Sequence, residues 1–181
     1  MGTKTHATIE DLYKIEGKAE LVNGEIIEMP LAGEDPGFAS LKIASRLLHY
    51  TEQTGRGRAF ADGVGFEVDL PHRKAFSPDA AYHLGPRRGM RFAQGAPVFA
   101  VEVRSEHDYG PAAERAMQEK RADYFAAGTL VVWDVDLQSA DVVKSYKASD
   151  PETPVVFRRG EMADAEPAVP GWRMAVDELF G

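Results

Sequence analysis

Apolar residues recur along this chain in two rhythms, and the switches between them predict its elements. From Pro36 to Thr54, the residues Phe38, Leu41, Ala44, Leu47, Leu48 and Thr51 return at three- and four-residue spacing. That spacing predicts an amphipathic helix terminated by Gly55. A second long helix is expected from Pro111, which suits a first helical turn, to about Gly128. Thr8 followed by Asp11 resembles a capping box and predicts a short helix over 8–15.

Elsewhere the pattern is that of strands. Asn23-Gly24 between Leu21-Val22 and Ile26-Ile27 predicts a two-residue hairpin. Phe66, Val68 and Leu70 alternate within a strand-like segment over 58–70, and LPHRKAFSP reads as a turn-rich connection. PDAAYHL and PVFAVEVR read as short strands flanking the loop GPRRGMRFAQGA. TLVVWDVD, ADVVKSYKA and PVVFRR add further strands before a final short helix in PGWRMAVDELF. Together these elements predict one mixed α/β domain spanning 1–181, with no repeat or linker long enough to divide it. Its parallel unit is the crossover from PVFAVEVR through the 111–127 helix to TLVVWDVD.

Composition narrows the chemistry. The absence of cysteine excludes disulfides and thiolate metal sites, so any metal is held by oxygen or imidazole. Five histidines show no HxxxH or HxH spacing, which leaves hard cations bound by oxygen. No stretch reaches the roughly 20 apolar residues of a membrane span, and MGTKTHATIEDLYKI lacks the apolar core of a signal peptide. His6 stands where a myristoylation pattern needs Ser or Thr. A cytoplasmic location is therefore expected. The net charge of −8 runs against sequence-neutral DNA binding, which depends on Lys and Arg neutralising phosphates.

Glu102 is the most unusual residue. It interrupts VFAVEV, a run that otherwise reads as a strand buried on both faces, where a carboxylate is costly unless paired or bound to metal. An ion pair with Arg104, two residues along on the same face, is the structural alternative. Asp79 in Ser77-Pro78-Asp79 reads alone as a turn residue. Taken with Glu102 it offers a second carboxylate on a neighbouring strand, and two such groups can converge on one divalent cation. Lys120 shares a helical stripe with Ala113, Met117 and Tyr124. It either snorkels to solvent or points its ammonium at the carboxylates, where it could stabilise developing charge. Glu20, two residues before the hairpin turn's Val22-Asn23 junction, is either a solvated strand residue or a further ligand to metal or water. Arg87, Arg88 and Arg91 are the local candidates for phosphate contacts, with a solvated loop as the alternative. There is no GxSxG elbow and no GxxxxGK[ST] phosphate loop.

KAELVNGEIIEMP, SPDAAY, FAVEVRS, the helix with Lys120 and Tyr124, AAGTLVVWDVD and VPGWRMAVDELF follow one another in the order seen in the Uma-type restriction endonuclease family, which the chain resembles from about residue 8 to 180. That family belongs to the PD-(D/E)XK nuclease superfamily. The resemblance implies a restriction-endonuclease-like core, a mixed central β-sheet flanked by α-helices. It implies Asp79 and Glu102 as metal-binding acids, Lys120 as the displaced catalytic lysine, and Glu20 as the acid of the N-terminal segment. It implies magnesium or manganese as cofactor, DNA as substrate and a homodimer with two sites. The chain departs from the family in reading EDPGFASL where a His-Gly is common, and Ser105-Glu106-His107 where Ser-Pro-Ser is common. It carries Arg104 two residues after the glutamate, which has the charge of a lysine but does not titrate. A nuclease fold that serves as a binding or scaffold protein, with little catalysis, is the rival expectation.

Overall fold

The computed structural model describes residues 6–181, so the pattern read in residues 1–5 lies outside the described residues. In chain order the elements are α1 (Ile9–Leu12), β1 (Ala19–Val22), β2 (Glu25–Glu28), α2 (Glu34–Thr54), β3 (Arg58–Ala61), β4 (Phe66–Glu67), β5 (Arg73–Phe76), β6 (Ala80–His83) and β7 (Ala93–Gln94). They continue with β8 (Phe99–Val103), α3 (Pro111–Ala126), β9 (Val131–Val135), β10 (Val143–Lys147), β11 (Asp150–Phe157), β12 (Met162–Asp164), β13 (Arg173–Ala175) and a closing 3-10 helix (Val176–Phe180).

The main sheet runs β11-β10-β9-β8-β6-β3. Within it only β8 and β9 are parallel, and α3 makes the crossover between them. A second sheet runs β2-β1-β5-β4-β7. One face of the main sheet presents Tyr82, Phe99 and Trp133 to α2 and to the C-terminal segment of Trp172, Met174 and Leu179. The other face presents Ala81, Ala100 and Val132 to Tyr124 of α3 and to Phe66 and Phe76 of the second sheet. α3 and the second sheet therefore share one face, and the seam between them bears the site.

Local chemistry accounts for most boundaries. Thr8 and Asp11 form the reciprocal capping box, closing a helix shorter than 8–15. Asn23 and Gly24 both take positive φ, 53° and 72°, as the tight hairpin turn demands. Gly55 ends α2 in the left-handed conformation.

Four expectations change. α2 begins at Glu34 rather than Pro36, because proline is tolerated in a first helical turn. Its buried side is Ala39, Ile43, Ala44 and Leu47, while Phe38, Leu41 and Leu48 are 39%, 61% and 50% exposed. The small residues Ala39 and Ala44 let the helix close on the large rings of the sheet. The segment 58–70 is two strands in different sheets, broken at Asp62-Gly63, where Gly63 has φ 88°. LPHRKAFSP contains β5, a central strand whose Ala75 and Phe76 are fully buried. Among the described residues no helix is long and apolar enough to cross a membrane.

Candidate active site

Pairing of β6 with β8 sets Ala80 opposite Val101, which places Asp79 and Glu102 on the same face of the main sheet. Asp79 stands one residue before β6, and its backbone N–H donates to the Val101 carbonyl at 2.9 Å. Its Oδ2 accepts from the Val103 N–H at 2.7 Å, and its Oδ1 accepts from Lys18 Nζ at 2.5 Å. Both carboxylates line a cavity of about 550 Å³ walled by α3 and by the chain after β2.

α3 brings two donors to Glu102 from one helical stripe. Lys120 Nζ lies 2.9 Å and the Tyr124 hydroxyl 2.7 Å from Glu102 Oε1. Ala113 and Met117, earlier in that stripe, line the same cavity. Lys120 also reaches Glu20 Oε1 at 2.8 Å. Burial alone would lower the Lys120 pKa, but the charges of Glu102 and Glu20 outweigh it and hold the group above its usual range. Lys120 is thus a fixed ammonium at neutral pH and cannot act there as a general base.

Glu20 is only 2% exposed, lies on β1 of the second sheet, and is not part of the cavity wall. Its Oε1 accepts the Ser77 N–H at 2.8 Å and its Oε2 accepts Arg73 Nη1 at 2.7 Å. Arg73 Nε continues to Asp123 Oδ2 at 2.8 Å. Burial pushes the Glu20 pKa up, and Lys120 and Arg73 together bring it below the ordinary value. Glu20 stands behind Lys120, outside the cavity wall, with its oxygens engaged by Lys120, the Ser77 N–H and Arg73.

Glu102 responds in the opposite direction. Desolvation pushes its pKa up to about 7; the charges of Asp79 and Glu20 add to the rise, and Lys120 and Lys18 oppose it. Among the described residues its Oε2 accepts no hydrogen bond.

The alternative pairing of Glu102 with Arg104 is not formed. Arg104 is buried and gives two 2.8 Å bonds to Asp134 and further bonds to Glu114. The arginine loop also lies elsewhere. Arg88 pairs with Glu67, Arg91 pairs with Glu10 and sits over Tyr13, and no arginine of this loop lines the cavity.

Three participants escaped the sequence reading. Lys18 donates to both Asp79 and Asp62, at 2.5 and 2.7 Å, and its pKa is raised, with burial opposing and Asp79 and Glu102 prevailing. Its signal was present, since Lys18 and Glu20 are two residues apart and share a strand face. Asp62 follows β3 at the break between the sheets, which no local pattern locates. The Tyr124 hydroxyl was visible only as part of a stripe. Tyr124→Phe keeps the ring stacked on Phe76, with centroids 4.0 Å apart, and removes one donor from Glu102. Lost support of this kind lowers metal affinity or activity about 10–100-fold, with little change in thermal unfolding, as calorimetric metal titration and a melting curve would read.

Asp79 and Glu102 supply hard oxygens: one Glu102 oxygen accepts no hydrogen bond among the described residues, and the Asp79 oxygens accept from Lys18 and the Val103 N–H and keep further lone pairs. Among the described residues no group of three or more His, Asp or Glu side chains converges as a metal cage. Two carboxylates without a cage suit magnesium or manganese, since magnesium commonly binds through one or two carboxylates, several waters and substrate phosphate. The residues fit such an ion.

Among curated proteins no match to this sequence is found. The fold is similar to the crystal structure of "a putative nuclease belonging to DUF820" from Anabaena variabilis ATCC 29413, with a TM-score of 0.73 over 96% of this chain and 97% of that chain. The two sequences are 16% identical, so the likeness speaks for the fold, a restriction-endonuclease-like mixed sheet flanked by helices. Residues 8–177 match the Uma2 family, whose description is "Putative restriction endonuclease", and with nearly its whole length matched the chain belongs to that family.

Proposed function

We propose that the protein hydrolyses phosphodiester bonds in nucleic acid, with DNA the expected substrate, using magnesium or manganese held by Asp79 and Glu102. The observation that carries this reading is the meeting of two carboxylates from adjacent strands at one cavity, with the Lys120 ammonium bonded to one of them. A divalent ion bound there neutralises phosphate charge and lowers the pKa of water. Lys120, fixed as a cation, stabilises the negative charge that develops on the reacting phosphate. Glu20 acts as a positioning residue that keeps Lys120 aimed, with Arg73 and Ser77 holding it in turn. Lys18 caps Asp79 and limits charge repulsion between the two acids. Arg104 has its guanidinium committed to Asp134 and Glu114, which leaves the catalytic cation to Lys120. The same reading includes a cytoplasmic homodimer, and the exposed Phe38, Leu41 and Leu48 along one side of α2 are consistent with its interface.

Protons and metal compete for Glu102. With its pKa at about 7, manganese affinity falls roughly tenfold per pH unit below that value and levels off above it. Manganese titrations at a series of pH values, paired with cleavage of labelled DNA and RNA with and without metal, test the proposal. Cleavage indifferent to chelation sinks it, whereas affinity that stays flat from about pH 6 to about pH 8 means that Glu102 is already ionised over that range.

A further inference from the structure

The cavity lining is mixed. Asp79, Glu102 and Lys120 share it with the apolar side chains of Met29, Pro30, Ala112, Ala113 and Met117, the last two preceding Lys120 along one stripe of α3. A volume of about 550 Å³ falls within the range of pockets that engulf small molecules, and a single nucleotide is of that order. Apolar lining beside carboxylates suits a nucleobase lying on the apolar part while its phosphate reaches the acids.

A second feature continues from the rim. Glu102 of β8 pairs with Asp134 of β9, and Asp134 with Lys144 of β10, so all three share one sheet face. Tyr146 lies two residues beyond Lys144 on that face, and Arg121 of α3, itself a cavity residue, sits over the Tyr146 ring at 3.6 Å. All three side chains are half-buried, and among the described residues Arg121 and Lys144 form no ion pair. The other cations of the site are committed: Lys18, Arg73, Arg104 and Lys120 each contact carboxylates. A cation layered on an aromatic ring is a surface on which bases stack, and Lys144 beside it can meet a phosphate.

Charge decides between strand types. Extensive duplex contacts need many phosphate-neutralising cations, and beside the cavity this acidic chain offers two that form no ion pair among the described residues, Arg121 and Lys144, whose charges act on Glu114. We infer that the cavity receives one unpaired nucleotide and that its strand runs out over Arg121, Tyr146 and Lys144, so that the substrate class is single-stranded nucleic acid. The inference rests on the hydrolytic reading for the direction in which the phosphate faces, and it is tested by binding rather than turnover.

The probes are short fluorescein-labelled oligothymidylate, oligouridylate and the oligothymidylate–oligoadenylate duplex, titrated in calcium and followed by anisotropy at several salt concentrations. The single strands should bind at least about tenfold more tightly than the duplex, with the two sugars ranking DNA against RNA. Two phosphate contacts give a slope of about −1.4 in log affinity against log salt, and Arg121→Ala or Lys144→Ala should each remove about 0.7 of it. Tyr146→Ala should weaken single-strand binding about tenfold, and Met117→Trp, which fills the apolar part of the lining, should do the same. Thermal melts show that the variants fold, and Lys42→Ala, at a half-buried α2 residue outside the cavity lining, serves as a control with unchanged binding. Preferred binding of the duplex, or a salt slope untouched by Arg121→Ala, overturns the inference while leaving the hydrolytic reading standing. Single-strand binding with the expected slopes but no cleavage in magnesium upholds the inference and overturns the hydrolytic reading. Absence of binding to all three probes overturns the inference.

Discussion

Asp79→Asn removes metal-dependent cleavage, by roughly a thousandfold, and leaves a folded protein. The first half follows from charge. Metal assistance supplies several kcal/mol of transition-state stabilisation, and each ~1.4 kcal/mol is a factor of ten in rate. Replacing one of two carboxylate ligands with a neutral amide takes away a charged oxygen in a site with no third acidic ligand among the described residues to replace it. The second half follows from hydrogen bonding. The amide oxygen of asparagine can still accept from the Val103 N–H, and Lys18 keeps Asp62 as a partner. What is lost is one charge-assisted bond, about 1.5–3 kcal/mol. Cleavage kinetics in magnesium, manganese titration and a denaturant melt separate the two effects. Wild-type rates in the variant would refute the assignment of Asp79. A variant that fails to fold would show that the Lys18–Asp79 pair is chiefly structural.

How much of this was readable beforehand depends on the range of each interaction. The hairpin turn, the capping box and the Gly55 terminator are decided by residues within a few positions, and they stand where the sequence places them. The crossover through α3 follows from handedness and spacing, and with it came the arrival of Lys120 beside the Glu102 strand. The split of 58–70 was hidden because Phe66, Val68 and Leu70 keep period two whether or not the chain changes sheets at Gly63. The buried side of α2 was misread because leucines outrank alanines in an apolar count, whereas packing on large rings favours the small residues. Glu20 and Arg104 show the harder limit. Each lies near the site in sequence logic, yet what each does depends on which partners claim it, Arg73 and Ser77 for one, Asp134 and Glu114 for the other. Those partners come from distant segments, and nothing local identifies them.

Lys120→Met should destabilise the protein by about 3–5 kcal/mol at pH 8 and abolish catalysis together with the fold's resistance to alkaline pH. Lys120, itself largely buried, is the shared partner of the buried Glu20 and of Glu102, which lines the cavity. Methionine fills the space of the lysine stem but leaves two carboxylates facing each other without the ammonium, and breaking a buried pair in this way costs far more than the pair itself contributes. The pH dependence gives the signature. Glu102 ionises in the unfolded chain near its ordinary value of 4.5 and in the folded protein at about 7. Between those values the folded state binds more protons, so this group's effect is that stability falls as pH rises through the window. Without Lys120, which opposes the rise, the folded pKa moves higher still, and the loss extends to higher pH. Urea melts across pH should therefore show the gap between Lys120→Met and wild type widening toward alkaline pH and narrowing toward acid, where protonated Glu102 needs no cation. Lys120→Arg restores the charge with a different shape, so it should recover much of the stability and little of the rate. A gap independent of pH would mean that Lys120 matters for packing alone, and that the ammonium at the centre of the site has no electrostatic role.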